Sequence, residues 1–302
     1  MIPVMFGVLF ITFVLNYINP ACPARGILGE QALPEAVEEL RERMGLDDPF
    51  IVQFFSYVGR TVLGDAEQTR LGRSFQSRRP VWDEISDRFP TTFRLAAMGA
   101  MVAVVIGIPL GIISATKQYT IFDNIAQSIG LIGVSIPNFA LGMMLILFFS
   151  VRLEVFPPSG FETPIQWIMP SLTIGMSSAA IVMRMTRSSM LEVIRQDYIR
   201  TARAKGQKES VIIFRHALKN ALIPVITVVG LQFGFLLGGA AITETIFSIA
   251  GLGGFMINSI RSQDFPIVQG GVLLIAIIFS MVNLLVDILY AYVDPRIRSQ
   301  YK

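Results

Sequence analysis

Residues 190–224 read MLEVIRQDYIRTARAKGQKESVIIFRHALKNALIP, and the organisation of the whole chain follows from how this stretch is understood. Nine Lys or Arg fall between Arg184 and Lys219, and apolar runs flank the stretch on both sides. A basic segment between two apolar runs belongs at a membrane surface. Its pattern is helical: a helix-favouring run through Ala202 and Ala204 leads to Gly206, and a second amphipathic segment covers residues 210–222. Glycine ends helices readily because positive φ is open to it, so Gly206 marks a break between two short helices. The prediction is a structured basic hairpin suited to docking a partner. In the plainer alternative these charges merely orient the chain across the membrane, but orientation needs few charges and no particular order.

Composition agrees with a membrane setting. The chain has 302 residues, 53% hydrophobic and 16% charged, with a mean hydropathy of +0.59. Soluble domains carry roughly 25% charged residues, so a polytopic all-α membrane protein is expected. Cys22 is the sole cysteine, which excludes an internal disulfide, and the sole histidine, His216, cannot form a metal site alone. No basic domain stands outside the apolar runs, so nucleic acid is not expected as a partner. The sequence holds no G-x-x-x-x-G-K-[ST] phosphate loop, and a single histidine in a basic loop does not make a Ser/His/Asp centre. The chain is therefore expected to be no enzyme by itself and to hold no cofactor.

A spanning helix needs about 20 apolar residues, and six runs qualify or nearly so: residues 2–18, 93–114, 125–151, 165–185, 222–242 and 267–290. The first is short. It reads as a first span, although a leader ending at a lipid-bearing Cys22 is a second reading; no Lys or Arg precedes it, and Pro20 sits where a cleavage site needs small residues. Placing the 190–224 stretch inside puts Lys117, Arg296, Arg298 and Lys302 inside as well, and leaves Arg152 and Arg261 on the short outer connections. Both termini are then cytoplasmic. Residues 19–90 form an outer segment with nine Arg against twelve Asp or Glu, which is no objection, because long loops cross largely regardless of charge. Within it, residues 33–44 read as a short helix with a proline near its start and Gly45 at its end, a second helix follows Pro49, and residues 83–88 read as an amphipathic lead-in to the second span. The domain reading is thus a first span at 1–18, an outer segment at 19–90, and a transmembrane domain at 91–302 with a cytoplasmic loop at 187–222.

Gly230, Gly234 and Gly238 share one helix face, and Ala103, Gly107 and Gly111 repeat the pattern in the second span; both faces predict close helix packing. Pro137 interrupts the third span, and its freed carbonyls need protein or water. Ser135, Asn138, Gln232 and Glu244 are therefore candidates to line a polar path, with Glu244 opening an outer glycine-rich segment that runs to Pro266. Ionisable groups at membrane depth are expensive, and Arg184 and Asp287 are expected to come within reach of each other or of the hairpin.

Residues 197–206, DYIRTARAKG, followed by residues 215–224, RHALKNALIP, closely resemble the cytoplasmic signature loop of ABC importer permeases. The likeness is to the B-type subunit of the dipeptide/oligopeptide branch, which also serves nickel and glutathione systems. It extends over essentially the whole chain through LGRSF at 71–75, RPV at 79–81, MRMTRSSM at 183–190, ETIF at 244–247, GLG at 251–253, DFP at 264–266 and DPRIR at 294–298. The sequence departs from the wider importer pattern at Arg200-Thr201-Ala202 and at Lys219, where a proline is usual, and Ala250 stands where peptide permeases often have proline. The resemblance implies a type I importer (MetI-like) transmembrane domain with an outer helical insertion between its first two spans. It also implies partners: a second homologous permease, two cytoplasmic ATPase subunits that bind ATP and magnesium, an extracytoplasmic solute-binding protein and membrane lipid. On this likeness the chain would sit in a bacterial inner membrane. Arg200, Thr201, Ala202, Arg203, Ala204, Lys205 and Gly206, with His216 on the following helix, would form the ATPase-coupling loop, residues 201–206 being the coupling helix. Peptides, glutathione and nickel complexes are all open as cargo. A stand-alone channel or secondary transporter is the reading from a different class; it would need charged residues at mid-membrane and inverted repeats, and neither is clear.

Overall fold

A computed structural model describes residues 2–18, 23–29, 31–64 and 71–293. Thirteen helices run along these residues: α1 (Ile2–Ile18), α2 (Pro23–Leu28), α3 (Pro34–Met44), α4 (Phe50–Leu63), α5 (Val81–Thr116), α6 (Ile121–Ser135), α7 (Asn138–Leu145, continued by a π-helical segment Ile146–Arg152), α8 (Pro164–Ile194), α9 (Asp197–Ala204), α10 (Glu209–Val211), α11 (Leu218–Ile246), α12 (Leu252–Arg261) and α13 (Phe265–Val293). A π-helical segment, Ile212–Ala217, joins α10 to α11, so residues 209–246 form one rod of 38 residues. Four helices among the described residues are long and apolar enough to cross a membrane, α6 and α7 supply a fifth crossing if taken together, and α1 is a shorter apolar helix.

The chain divides into two units, Met1–Thr92 with Ala250–Ser280 and Phe93–Ile249 with Met281–Lys302. In the first, α3 starts at Pro34 and ends on Gly45 at φ 68°, whose backbone N–H caps carbonyls of the last turn, as the proline–glycine asymmetry predicts. Phe6, Phe10, Phe13 and Tyr17 recur on one face of α1 and meet Phe50, Phe54 and Tyr57 of α4 through edge-on and tilted ring contacts of 5.1–6.3 Å, the arrangement that aromatic quadrupoles favour. Ile51, Val52 and Phe55, elsewhere on α4, are exposed. Two stretches far apart in sequence also meet here. The buried Asp264 accepts hydrogen bonds from Ser74 Oγ at 2.5 Å and from the Phe75 N–H at 3.0 Å, which ties the turn before α5 to the start of α13. Val81, Ile85, Leu252 and Ile267 form the apolar cluster beneath.

The second unit is built on α8. Gly175 and Gly107 hold α8 and α5 at backbone distance: a Cβ on Gly107 would lie 2.6 Å from the Ala179 carbonyl oxygen, and one on Gly175 would lie 2.5 Å from that of Gly99. Small residues do here what they commonly do between membrane helices. Ala103, Ala179, Val182 and Val225 complete this core.

Several expectations are corrected by the structure. The third apolar run is not one straight span, because α6 and α7 meet at 102°; Pro137 caps α7 and directs the chain away from α6. Of the three glycines on α11, Gly234 is buried and Gly230 abuts Val286, but Gly238 faces open space. Arg184 and Asp287 make no hydrogen bond or ion pair with any described residue and are exposed; the buried charge that needs a partner lies elsewhere.

Candidate functional site

The basic stretch folds as a helical hairpin whose first arm is α9. Asp197 opens α9 near its positive end, and Gly206 closes the arm at φ +75°, where a side chain would be strained. The helix runs over Asp197–Ala204, one turn earlier than the expected 201–206. Ile199 is completely buried with Met190 at the end of α8, Ala115 at the end of α5, and Ile212, Ala217 and Ala221 along the α10–α11 rod. One apolar side chain therefore roots α9 in the ends of three helices. Around that root the surface is polar. Arg200, Thr201, Arg203, Ala204, Lys205 and Gly206 are exposed, and Ala202 is half-buried against the cluster.

Polar contacts fix the two arms to each other. Arg203 donates to Glu209 through Nε and Nη2 at 3.2 and 2.6 Å; this bonding raises the Arg203 pKa above its ordinary value, so its charge is permanent. His216 Nε2 lies 2.8 Å from Gln207 Oε1, and Asn220 donates to the Tyr198 hydroxyl at 2.7 Å. Arg200 reaches Asp197 at 3.8 Å, with both groups largely in solvent.

A second polar centre, not foreseen in the sequence, sits where α5, α6 and α8 meet. Asp123, in the first turn of α6, is buried. Arg187 on α8 donates to both of its oxygens, Nη2 to Oδ2 at 3.0 Å and Nε to Oδ1 at 3.2 Å. Ser114 Oγ at 2.5 Å, Gln127 Nε2 at 2.8 Å and the Tyr119 N–H at 3.0 Å complete the shell. A buried carboxylate is tolerable only when so fully paired. The signal was present in the sequence: one acidic residue heading an apolar helix, with Arg187 inside another helical run.

The candidate path residues lie on α6, α7 and α11. Ser135 is exposed at the end of α6 and donates to the Leu131 carbonyl; Asn138, half-buried, begins α7. Gln232 is half-buried within α11. Glu244 does not open an outer segment: α11 continues to Ile246, and Glu244 is completely buried inside it. Among the described residues no group of His, Cys, Asp or Glu is placed to hold a metal ion.

Helices of spanning length, a bent pair, and a charged hairpin rooted in their ends define a polytopic membrane protein with a basic arm at one end of its helices. Comparison with known proteins makes this specific. Residues 107–299 match the family described as "Binding-protein-dependent transport system inner membrane component", residues 1–96 match the corresponding N-terminal family, and the chain belongs to this family. It is 43% identical over 326 residues to the dipeptide transport system permease protein DppB of Alkalihalophilus pseudofirmus, covering 99% of this chain and 96% of that protein. It is 42% identical over 298 residues to the glutathione transport system permease protein GsiC of Escherichia coli K12, with the same coverage. Among solved structures, the inward-facing MetNI methionine ABC transporter aligns with 72% of this chain and 99% of its own at a TM-score of 0.58 and 20% identity. An amino acid ABC transporter aligns with 71% of this chain and 94% of its own at 0.52 and 16%. These place the fold among type I importers. The chain is a transmembrane permease subunit of an ABC importer, a multi-pass inner-membrane protein.

Proposed function

We propose that this subunit carries di- or oligopeptides across the cytoplasmic membrane, driven by ATP hydrolysed on partner subunits. The observation that carries the mechanism is Ile199, buried among the ends of α5, α8 and the α10–α11 rod while the basic side chains of α9 point outward. A partner that grips Arg200, Arg203 and Lys205 therefore moves three helix ends at once. Interfaces and packed cores of this kind switch between discrete states instead of deforming smoothly, so closure of an ATPase dimer on ATP would reach the spans as a rigid-body displacement. Ala202, Ala204 and Gly206 let the partner's backbone approach, and His216 with Gln207 holds the second arm against the first.

The assembly proposed is one further permease of the same family, two ATPase subunits holding ATP and magnesium, and an external solute-binding protein. In this arrangement the 187–222 hairpin and both termini are cytoplasmic, residues 19–90 lie outside, and residues 91–302 are the transmembrane domain. Relatives named for dipeptide and for glutathione transport, at nearly equal identity over nearly the whole chain, support a peptide-like cargo. Glutathione itself is the second reading, with nickel complexes further off.

Replacement of Arg203 and Lys205 by Glu tests the coupling. In proteoliposomes holding the complete importer, ATP-driven uptake of a labelled dipeptide should be lost while the subunit still inserts and still pairs with its fellow permease. Undiminished uptake in this variant would sink the coupling assignment. Absence of any ATPase from the purified complex would sink the importer assembly.

A further inference from the structure

The face shared by α6 and α8 carries a second, unassigned feature. A groove of about 650 Å³ runs between them, lined by Gln127, Arg184, Arg187, Ser188, Glu192 and Arg195, with Met183 at its floor. A smaller hollow of about 450 Å³ shares Gln127, Met183 and Arg184 and extends along Asn124 and Ser128. Asn124, Gln127 and Ser128 recur on the groove side of α6, and Arg184, Ser188 and Glu192 on that of α8 with Arg195 just past its end, all of them exposed. Two polar stripes thus face each other across one cleft.

Position and charge define what the cleft can hold. Arg184 lies twenty residues after Pro164, so it stands about 30 Å along α8 at 1.5 Å per residue, one hydrocarbon thickness from the helix start. The Arg187 guanidinium is neutralised by Asp123, whereas Arg184 makes no ion pair or hydrogen bond with a described residue. Arg184 and Arg195 against Glu192 leave the groove net positive. Acyl chains are a poor neighbour for such a surface, because polar stripes on spanning helices turn to water or protein. α6 has a separate apolar row for lipid, in which Ile121, Ile125, Ile129 and Ile132 are all exposed.

We propose that this groove is a station for the cargo on its way to the cytoplasm, where Arg184 forks onto the terminal carboxylate of a peptide. Gln127, Asn124 and Ser188 offer hydrogen bonds to the amide groups behind it. Arginine suits the task because its planar fork matches a carboxylate in two parallel bonds. Glu192, at the other end of the groove, would meet the cargo's ammonium group. The proposal rests on the reading of this chain as a peptide importer's permease, and it assigns the carboxylate contact to a residue of the membrane subunit itself.

The test uses the assembled importer in nanodiscs of zwitterionic lipid, without ATP, in a Cys22→Ser background carrying Ser188→Cys. The rate at which a negatively charged methanethiosulfonate modifies this chain is followed by mass. A saturating free-acid dipeptide should slow the reaction several-fold, and the same dipeptide as its C-terminal amide should leave it unchanged. Arg184→Gln should raise the peptide concentration needed for protection by about ten- to hundredfold, the loss expected for one charge-assisted contact, and Arg184→Lys should recover part of it. Equal protection by the amide, or full protection in Arg184→Gln, would overturn the assignment. So would protection that follows added phosphatidylglycerol in the disc and ignores peptide, because the groove would then belong to a lipid headgroup. Since no ATP is present, these outcomes are independent of the uptake assay, so failure of the station and failure of the importer reading can be told apart.

Discussion

Two ion pairs in this subunit do opposite work. Asp123 and Arg187 are shut away, their side chains 2% and 23% exposed, with every oxygen of the carboxylate engaged by α5, α6 and α8. Arg203 and Glu209 sit in the open at 41% and 56% and join only the two arms of the hairpin. A buried pair is costly to desolvate and costlier to break, so it fixes one geometry. An exposed pair holds its partners loosely, typically by no more than about 1 kcal/mol, and can be given up to a docking protein. The contrast teaches that the permanent joint of this molecule lies among the long helices, and the exchangeable one lies in the hairpin at their ends.

That difference can be broken from the inside first. Asp123→Ala leaves the Arg187 charge without its counterpart and should destabilise the subunit by about 3–5 kcal/mol, seen as a large fall in thermal unfolding temperature in detergent. The double variant Asp123→Ala/Arg187→Met should recover much of the loss, as expected for coupled sites; failure to recover would mean that Asp123 acts through Ser114 and Tyr119 alone. Next in size is Gly107→Val, which forces a side chain against the Ala179 carbonyl and Val182. Overpacking of this kind costs about 1–3 kcal/mol, and Gly238→Ala, facing open space, is the matched control that should change little.

At the hairpin the expected changes in stability are smaller. Gly206→Val places a branched residue at φ +75° and should cost about 1–2 kcal/mol locally, read as faster hydrogen exchange in α9 with the unfolding temperature of the spans unmoved. The charge swap Arg203→Glu/Glu209→Arg should alter stability by less than about 1 kcal/mol. If it nevertheless abolishes ATP-coupled uptake, Arg203 is read by the partner; if uptake survives, the pair serves the hairpin alone.

Much of this could be seen in the chain before it was folded. Local signals carried the spans, the α3 boundaries at Pro34 and Gly45, and the break at Gly206, because each depends on neighbours a few residues away. The bend at Pro137 was visible as an interruption, but not its size, which is set by where α7 packs. What escaped were meetings between distant residues. The Asp123–Arg187 pair joins positions 64 apart, and Ser74 with Asp264 joins positions 190 apart, so no periodicity announces either. Arg184 and Asp287 drew attention as charges within apolar runs, but both reach the surface of their helices. Glu244 was misplaced because the glycines after it suggested a loop, whereas α11 continues past it to Ile246.

The contact between α1 and α4 has a consequence for how the subunit is made. At 17 residues, α1 is short for a span, and its aromatic row is covered by a helix that begins 32 residues after it ends. During synthesis α1 is made first, and Phe6, Phe10 and Phe13 stay without their ring partners until α4 has followed and folds back onto them. Expressed without α1, the segment that follows would show water both the aromatic stripe of α4 and its exposed Ile51, Val52 and Phe55, and it would aggregate. The first helix and the segment behind it are thus one unit of biogenesis, completed only once α4 has been made.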